Sequence, residues 1–275
     1  MVWALLSATA RADIALPMVN GQHYRPHSWD LPTQFQGRFF IPGQILFHNV
    51  TDQRYNAQGQ RTSLGDTYRT TFGITALPVM FKLNDGDDWA YIAGIDILEL
   101  KVSNSSGTLM SGVGNVLGDF TAWTKPDADS TVGFNVLLGT PLHVADDRLT
   151  RNKDLFLRSF YNRNIGAFNV AGALGYQHTY AAPASVGVVR DNYHVNLRFG
   201  RDFGVQTPIA ARVTPFLGLD RMWTDGGVSS LTNASVGVHL AYADGTSWGV
   251  SKVRSLSGKN APFADMWQFQ VWTLF

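Results

Sequence analysis

The sequence contains no cysteine, which excludes a disulfide framework and any zinc site with cysteine ligands. It is also poor in charge, because Asp, Glu, Lys and Arg make up 16% of its 275 residues, against roughly 25% in a typical soluble domain. The formal net charge is +1, so the basic surface that nucleic acid requires is missing, and we expect no nucleic-acid partner. No run of about 18 apolar residues occurs, which argues against a membrane-spanning helix.

Aromatic residues, in contrast, are plentiful: 8 Trp, 9 Tyr and 17 Phe account for 12% of the chain. The mean hydropathy is −0.07, so the chain as a whole is not strongly apolar. Few charges, many aromatics and an intermediate hydropathy are typical of a protein whose strands alternate apolar and polar residues.

Alternation with a period of two is clearest in residues 192–200. Tyr193, Val195, Leu197 and Phe199 alternate there with polar residues, and stretches 168–177, 209–220 and 234–243 behave alike. Successive side chains of a strand point to opposite faces, so each stretch has one apolar and one polar or small face. A sandwich and a barrel both alternate. The polar faces here carry few charges, and the apolar faces are about 9–11 residues long, as a tilted transmembrane strand requires.

The sequence therefore predicts an all-β fold, a transmembrane antiparallel up-and-down β-barrel of about 12 strands. Alternation is interrupted at 39–42 and 77–81, where we expect bulges. Odd-numbered connections are mostly long and even-numbered ones mostly short, including a tight turn at 203–206 and the hairpin signal Asp244-Gly245. The expected strands are 36–51, 68–82, 88–103, 110–125, 130–143, 153–162, 165–181, 188–203, 208–224, 229–243, 246–257 and 264–275.

The two ends of the chain carry export and assembly signals. Val2–Ala10 is apolar and Ala10-Arg11-Ala12 is a small-x-small cleavage site, so residues 1–12 are expected to be a signal peptide, truncated in its basic region. A short buried helix or strand is the alternative. Residues 13–35 are expected to be irregular and 36–275 to form the barrel. At the other end, one strand face ends on an aromatic residue, which resembles the assembly signal of outer-membrane proteins: Trp267, Phe269, Val271 and Phe275.

Tryptophan and tyrosine occur near the ends of many expected strands, where barrels place girdles at the lipid–water boundaries. Core aromatics are the alternative, which the sequence leaves open. The residues assigned to girdles are Tyr68, Trp89, Tyr91, Trp123, Tyr180, Trp223, Trp248 and Trp267.

The polar faces of the expected strands define a candidate lumen. Its side chains either line a solute pathway or pair with each other and stiffen the interior, and the sequence favours neither. Lys252 and Arg254 are weaker candidates. The seven histidines form no His-x-x-x-His pair, so no metal site is predicted. The predicted lumen residues are Asp119, His194, Asn196, Arg198, Arg212, Asp220 and His239.

Gly112-Val113-Gly114, followed by Gly118-Asp119-Phe120, has the wrong spacing for a dinucleotide or P-loop fingerprint. With Val132–Leu138 and the turn Gly139-Thr140-Pro141, it resembles the outer-membrane family named for the meta-cleavage pathway of phenol degradation. Members of that family carry a Gly-x-Gly-Asp strand and a strand ending in a Pro/Gly turn, and close as barrels ending in Phe. The order at 139–141 departs from the family, in which Pro comes first. The resemblance implies a transporter for aromatic or other hydrophobic compounds, without a catalytic residue.

We therefore expect a channel of the bacterial outer membrane for passive uptake of small hydrophobic or aromatic compounds. Its expected partners are the membrane lipid, the barrel assembly machinery and a small-molecule substrate, and no cofactor is expected. One alternative is a structural or adhesive barrel with a plugged lumen. Another is a membrane hydrolase, which needs a Ser and a His that meet near the outer lipid boundary. No nucleophile-elbow motif is present, and His27-Ser28 is only an adjacent pair, so we expect no enzyme.

Overall fold

The computed structural model describes residues 36–141, 153–181, 191–204, 212–241, 246–273 and 275. The expected signal peptide 1–12 and irregular segment 13–35 lie outside these ranges. Among the described residues, no helix has the length and apolar character needed to cross a bilayer.

Twelve antiparallel strands form one closed barrel. Three two-residue strands, Phe39–Phe40, Phe203–Gly204 and Ala261–Pro262, pair along its rims. The twelve strands are β1 (Gly43–Tyr55), β2 (Arg61–Phe81), β3 (Trp89–Asn104), β4 (Gly107–Asp127), β5 (Ser130–Pro141), β6 (Lys153–Ile165), β7 (Phe168–Ala181), β8 (Asn192–Arg201), β9 (Arg212–Thr224), β10 (Ser230–Ala241), β11 (Ser247–Lys259) and β12 (Asp265–Trp272).

Closure is made by β12 and β1, which pair from Met266 opposite Asn49 to Trp272 opposite Gly43. Every other strand pairs with its neighbours in sequence, so no long edge is left open for association with another sheet. A closed ring of twelve also fixes which strands face each other: strands six places apart, such as β1 and β7 or β4 and β10, lie on opposite sides of the lumen.

The first expected strand, 36–51, is divided in two. Phe39–Phe40 pairs with Met80 and Val79 at the end of β2, and β1 begins only at Gly43. The indole of Trp272 lies against Gly43, where a Cβ atom would overlap the ring. A side chain at position 43 would therefore disturb the closing pair.

The bulge expected at 77–81 is wrong. Leu77 to Phe81 pairs in continuous register with β3 from Ile95 to Tyr91. Alternation is interrupted there because Pro78 occupies an inner-face position. It is accommodated by Gly94 across the strand pair, where a Cβ atom would lie 2.5 Å from the Cα of Pro78. Register shifts occur elsewhere, one of them between Thr51 and Gln53.

Two of the expected connections differ from the structure. The third connection is a tight turn in which Asn104 pairs with Gly107. In the eighth, the tight turn expected at 203–206 does not begin at Phe203, because Phe203–Gly204 pairs with Val213 and Arg212. Residues 205–211 then lie outside the described ranges, and β9 begins four residues later than the expected 208.

The outer surface of the barrel is apolar. On strand after strand, large side chains with 40–60% of their surface exposed alternate with buried ones, for example Leu46 at 40% and Leu174 at 60%. A soluble monomer rarely exposes so continuous an apolar surface, whereas the lipid face of a membrane barrel requires it. Further members of this surface are Ile95, Leu138, Leu157, Leu197, Leu217, Val236 and Phe269.

Outward aromatic side chains form rows at both ends of the barrel. Phe81, Tyr91, Phe120 and Phe134 follow one another at 5.7–6.2 Å between ring centroids, at the end that holds the chain terminus. Tyr176, Tyr193 and Trp223 form a row at the opposite end. Trp123 is not a girdle residue, since it is fully buried on the inner face of β4.

Candidate functional site: the lumen of the barrel

All seven predicted lumen side chains lie on the inner face. On β8, His194, Asn196 and Arg198 are buried and alternate with the outward Val195, Leu197 and Phe199, two of which are exposed. The same parity places Arg212 and Asp220 inside on β9, His239 inside on β10 and Asp119 inside on β4. That these side chains line a solute pathway stays a prediction, because their position alone does not show passage.

A chain of hydrogen bonds crosses four strands on the inner face. Asn196 on β8 donates its amide to Asp220 on β9 at 3.0 Å, and Asn233 on β10 hydrogen bonds to the same carboxyl group. Ser255 on β11 donates to the amide oxygen of Asn233 at 2.9 Å and accepts the backbone N–H of Ala264 at 2.8 Å. Strand register makes this possible, since Asn196, Asp220 and Asn233 are directly opposite one another. These hydrogen bonds fix the positions of β8, β9, β10 and β11 relative to one another.

A second cluster surrounds Asp202, just after β8. Its carboxylate accepts hydrogen bonds from Asn169 at 2.9 Å and from the hydroxyl of Thr214. The Arg212 guanidinium forms an ion pair with it at 3.8 Å, and Arg198 interacts with it electrostatically. The guanidinium of Arg198 also lies 3.5 Å from the ring centroid of Phe216, a cation–π arrangement.

Two further predicted residues are held by their neighbours. Asp119 accepts a hydrogen bond of 2.8 Å from Asn135, whose amide also donates to the hydroxyl of Thr121 at 2.7 Å. The imidazole of His194 lies on the backbone of Gly175, where any Cβ atom would overlap the ring. The interior is thus organised by polar contacts between adjacent strands.

The lumen has two chemically different walls. The wall on β1 to β4, here called the apolar wall, is mainly apolar, although Asn49, Asp96 and Asp119 are also buried on it. The wall on β7 to β10, on the opposite side of the ring and here called the polar wall, is mainly polar, although Phe216 and Leu231 are buried on it. Removing apolar groups from water stabilises the fold, whereas burying polar groups destabilises it unless they are hydrogen bonded. The apolar wall includes Ile45, Phe47, Phe72, Ile74, Ile92, Leu98 and Leu117. The polar wall includes Gln177, His194, Asn196, Arg198, Asp220, Asn233 and His239.

Several inner-face residues were missed from the sequence. Arg158 on β6 interacts electrostatically with Asp220 and His194, and Asp154 on the same strand accepts hydrogen bonds from Thr179 and Gln177. In residues 153–162, Asp154 and Arg158 occupy the same face as Phe156 and Phe160. This shared parity is the sequence pattern that could have identified them as inner-face residues. Lys252, a weaker candidate, is on the outer face, paired with Asp265 and 5.2 Å from the ring centroid of Trp267.

Three of the four predicted C-terminal residues, Trp267, Phe269 and Val271, share one face of the last strand. Trp267 and Phe269 point outward and are both 47% exposed, and Val271 shares their parity. Phe275 exchanges two backbone hydrogen bonds with Phe40, at 2.9 and 3.1 Å. The chain end is therefore fixed to the rim beside β2. Recognition of this face by an assembly machinery stays a prediction.

A catalytic or metal site requires particular side chains to meet, a nucleophile with a base or several metal ligands. His178, on the outer face of β7, accepts or donates hydrogen bonds with Asp191 at 2.7 Å and Tyr176 at 3.4 Å, and neither partner is a nucleophilic serine. His27-Ser28 lies outside the described residues. Across the described ranges, no group of three metal-ligating side chains comes together.

Comparison with known proteins supports the fold. The structure is similar to an outer membrane channel from Pseudomonas putida F1, with a TM-score of 0.72 and 18% identity over 91% of this chain and 99% of that one. It is also similar to the monoaromatic hydrocarbon channel CymD (TM-score 0.54, 9% identity, 94% and 97% of the chains). A third similar structure is the translocator domain of the autotransporter NalP from Neisseria meningitidis (TM-score 0.53, 12% identity, 98% of each chain).

No protein-family model and no curated protein matches the sequence. At identities below 25% the likenesses establish the barrel fold, and the neighbours are outer-membrane barrels of the channel and translocator kinds.

Proposed function

We propose that the protein is a bacterial outer-membrane channel for the passive passage of small hydrophobic or aromatic compounds. The observation that carries the proposal is the pair of opposed lumen walls, one mainly apolar and one mainly polar. Contact with the apolar wall stabilises the aromatic part of a bound solute, and the opposite wall can form hydrogen bonds with any polar group that the solute carries. Among the similar structures, the Pseudomonas protein is an outer-membrane channel and CymD is a monoaromatic hydrocarbon channel; the first supports a channel role and the second an aromatic substrate.

The outer surface supports the location. Exposed leucine, valine and phenylalanine side chains between two aromatic rows match the apolar band and girdles of outer-membrane barrels. The family resemblance at Gly112–Asp119 and Val132–Leu138 supports aromatic compounds as substrates. Lipid and the barrel assembly machinery are the partners proposed for this location.

Many inner-face side chains are shielded from solvent, including Phe72 at 1% exposure and His239 at 0%. A solute that contacts these side chains therefore requires some of them to move. The same observation favours a second candidate function, a structural barrel whose interior stays filled. The two functions differ in whether any solute crosses.

The test is influx of 4-nitrobenzyl alcohol and of xylose into liposomes, each corrected for leakage through protein-free liposomes. Ile74→Asn places an amide in the apolar wall and is expected to lower the protein-dependent influx of the aromatic alcohol several-fold, with xylose influx unchanged or higher. Ile95→Val, on the lipid face of the adjacent strand, is the matched control and is expected to behave as wild type. A wild type that admits neither solute contradicts the channel and supports the filled barrel.

A further inference from the structure

Asp96 is a buried acidic residue in the apolar wall whose carboxyl group has no hydrogen-bond partner. It lies on the inner face of β3 with no exposed surface. Its neighbours across the two strand pairs are Ala76 on β2 and Leu117 on β4, both buried. Along its own strand the next inner residues are Gly94 and Leu98. The carboxyl group is thus enclosed by apolar or side-chain-free positions.

The other inner-face carboxyl groups of the described strands and rims differ from Asp96 in that they are hydrogen bonded. Asp119, Asp154, Asp202 and Asp220 each accept at least one side-chain hydrogen bond, from Asn135, Thr179, Thr214 and Asn196 respectively. An unpaired polar group buried in apolar surroundings destabilises the fold by about 1–3 kcal/mol, and more if charged. A valine or alanine at position 96 would avoid this cost. The position is therefore unfavourable for folding alone.

We propose that Asp96 is a binding subsite in the lumen, where it accepts a hydrogen bond from the hydroxyl or amino group of a passing solute whose hydrocarbon body contacts the apolar wall. This inference rests on the proposed channel function and narrows its substrates. The preferred solutes are uncharged aromatic or aliphatic molecules with a hydrogen-bond donor, and pure hydrocarbons bind less well. Both the ionised and the protonated carboxyl group accept a hydrogen bond, so the subsite operates in either form.

The geometry of the apolar wall supports separate roles for its aromatic side chains, which contact the hydrocarbon body, and for Asp96, which accepts the hydrogen bond. Phe47 and Phe72 lie next to each other on β1 and β2, with ring centroids 5.9 Å apart, two strands or fewer from Asp96. Apolar surface of this kind holds an aromatic body without discrimination, because dispersion and water exclusion are not directional. A single unpaired acceptor supplies the discrimination, since a solute lacking a donor leaves it unpaired. Side-chain movement at the wall is needed to expose Asp96 to the solute.

The experiment compares benzyl alcohol with ethylbenzene, in which a methyl group replaces the hydroxyl. Binding of each radiolabelled solute to the purified protein in detergent is measured by equilibrium dialysis, with protein-free micelles subtracted. For each solute we compare the amount bound by the protein with the amount taken up by protein-free micelles. For the wild type we expect this ratio to be about tenfold higher for benzyl alcohol than for ethylbenzene. Asp96→Val is expected to abolish this preference and to leave ethylbenzene binding unchanged or stronger. Asp96→Asn retains an acceptor oxygen and is expected to keep part of it.

A stability measurement separates a binding role from a structural one. Asp96→Val is expected to raise the thermal unfolding temperature, because it removes an unpaired polar group, and Ile95→Val is expected to leave both stability and preference unchanged. Equal wild-type binding of the two solutes, or a preference that survives Asp96→Val, overturns the subsite while the channel stands. A lower unfolding temperature for both Asp96 variants also overturns it, since Asp96 is then structural. Binding of neither solute above the micelle blank contradicts the channel itself, and the subsite with it.

Discussion

Asn196 donates a 3.0 Å hydrogen bond to Asp220 from the directly opposite position on the neighbouring strand. Both residues were predicted to face the lumen, but their contact joins them to each other and to Asn233, and so ties three strands together. Polar side chains of this lumen therefore stabilise the barrel as well as define its surface.

The first prediction concerns the coupling of this pair. Asn196→Ala and Asp220→Ala are each expected to lower the free energy of unfolding by about 1–3 kcal/mol, because each removes a hydrogen bond to a buried carboxyl group. The double variant is expected to cost less than the sum, with a coupling of about 0.5–3 kcal/mol. Urea unfolding in detergent or lipid, followed by tryptophan fluorescence, gives the four values. Additive effects contradict the direct contact.

The second prediction concerns His194 and Gly175. Gly175→Ala is expected to lower the unfolding free energy by about 1–3 kcal/mol, since the new methyl group overlaps the imidazole. In a His194→Ala background the same substitution is expected to be nearly neutral, because the ring is gone. Gly172→Ala is the control on the same strand, as its Cβ would lie 3.5 Å from the nearest atom. Equal destabilisation in both backgrounds contradicts the stacking of His194 on Gly175.

The third prediction separates inward from outward tryptophans. Trp267 is 47% exposed on the lipid face, whereas Trp123 is fully buried on the inner face. In variants that keep one tryptophan, brominated lipid is expected to quench the Trp267 fluorescence strongly and the Trp123 fluorescence weakly. Comparable quenching of the two places Trp123 in the lipid girdle and contradicts the inner-face assignment.

The fourth prediction concerns the chain end. Deletion of Phe275 removes the two backbone hydrogen bonds to Phe40 and the terminal aromatic, and is expected to lower the amount of barrel assembled in the outer membrane. Phe275→Ala keeps the backbone hydrogen bonds and therefore isolates the aromatic signal. Heat-modifiable mobility on gels measures the folded fraction, with Phe168→Ala on β7 as the control for loss of an exposed phenylalanine. Full assembly of Phe275→Ala contradicts the aromatic signal.

Sequence alternation was sufficient to predict which side chains of β8, β9 and β10 face inward, because the period of two depends only on local backbone geometry. The same rule would have placed Trp123 correctly, since it shares its parity with Asp119. Trp123 was assigned to a girdle because it lies near a strand end, but that position does not determine which face a side chain occupies. Arg158 was missed because the apolar Phe156 and Phe160 lie on the same face, so that its strand alternates less clearly than β8.

Hydrogen-bond partners were beyond the sequence for a different physical reason. Pairs such as Asn135 and Asp119 are decided by the register between strands, and register depends on bulges and turn lengths that local patterns do not determine. The start of β9 shows the difficulty, since apolar alternation continues from Ile209 into Val213 without a break. Asp96 lies in a stretch whose two faces are both apolar, so alternation gave no reason to select it.

The central claim is that the barrel admits small hydrophobic compounds in preference to sugars. The most direct measurement is the ratio of protein-dependent influx of 4-nitrobenzyl alcohol to that of xylose, in liposomes carrying the wild-type protein and corrected for protein-free leakage. A ratio well above one is the predicted result, because the aromatic ring contacts the apolar wall and the sugar does not. Equal influx of the two solutes, as through an unselective pore, or no protein-dependent influx of either contradicts the account.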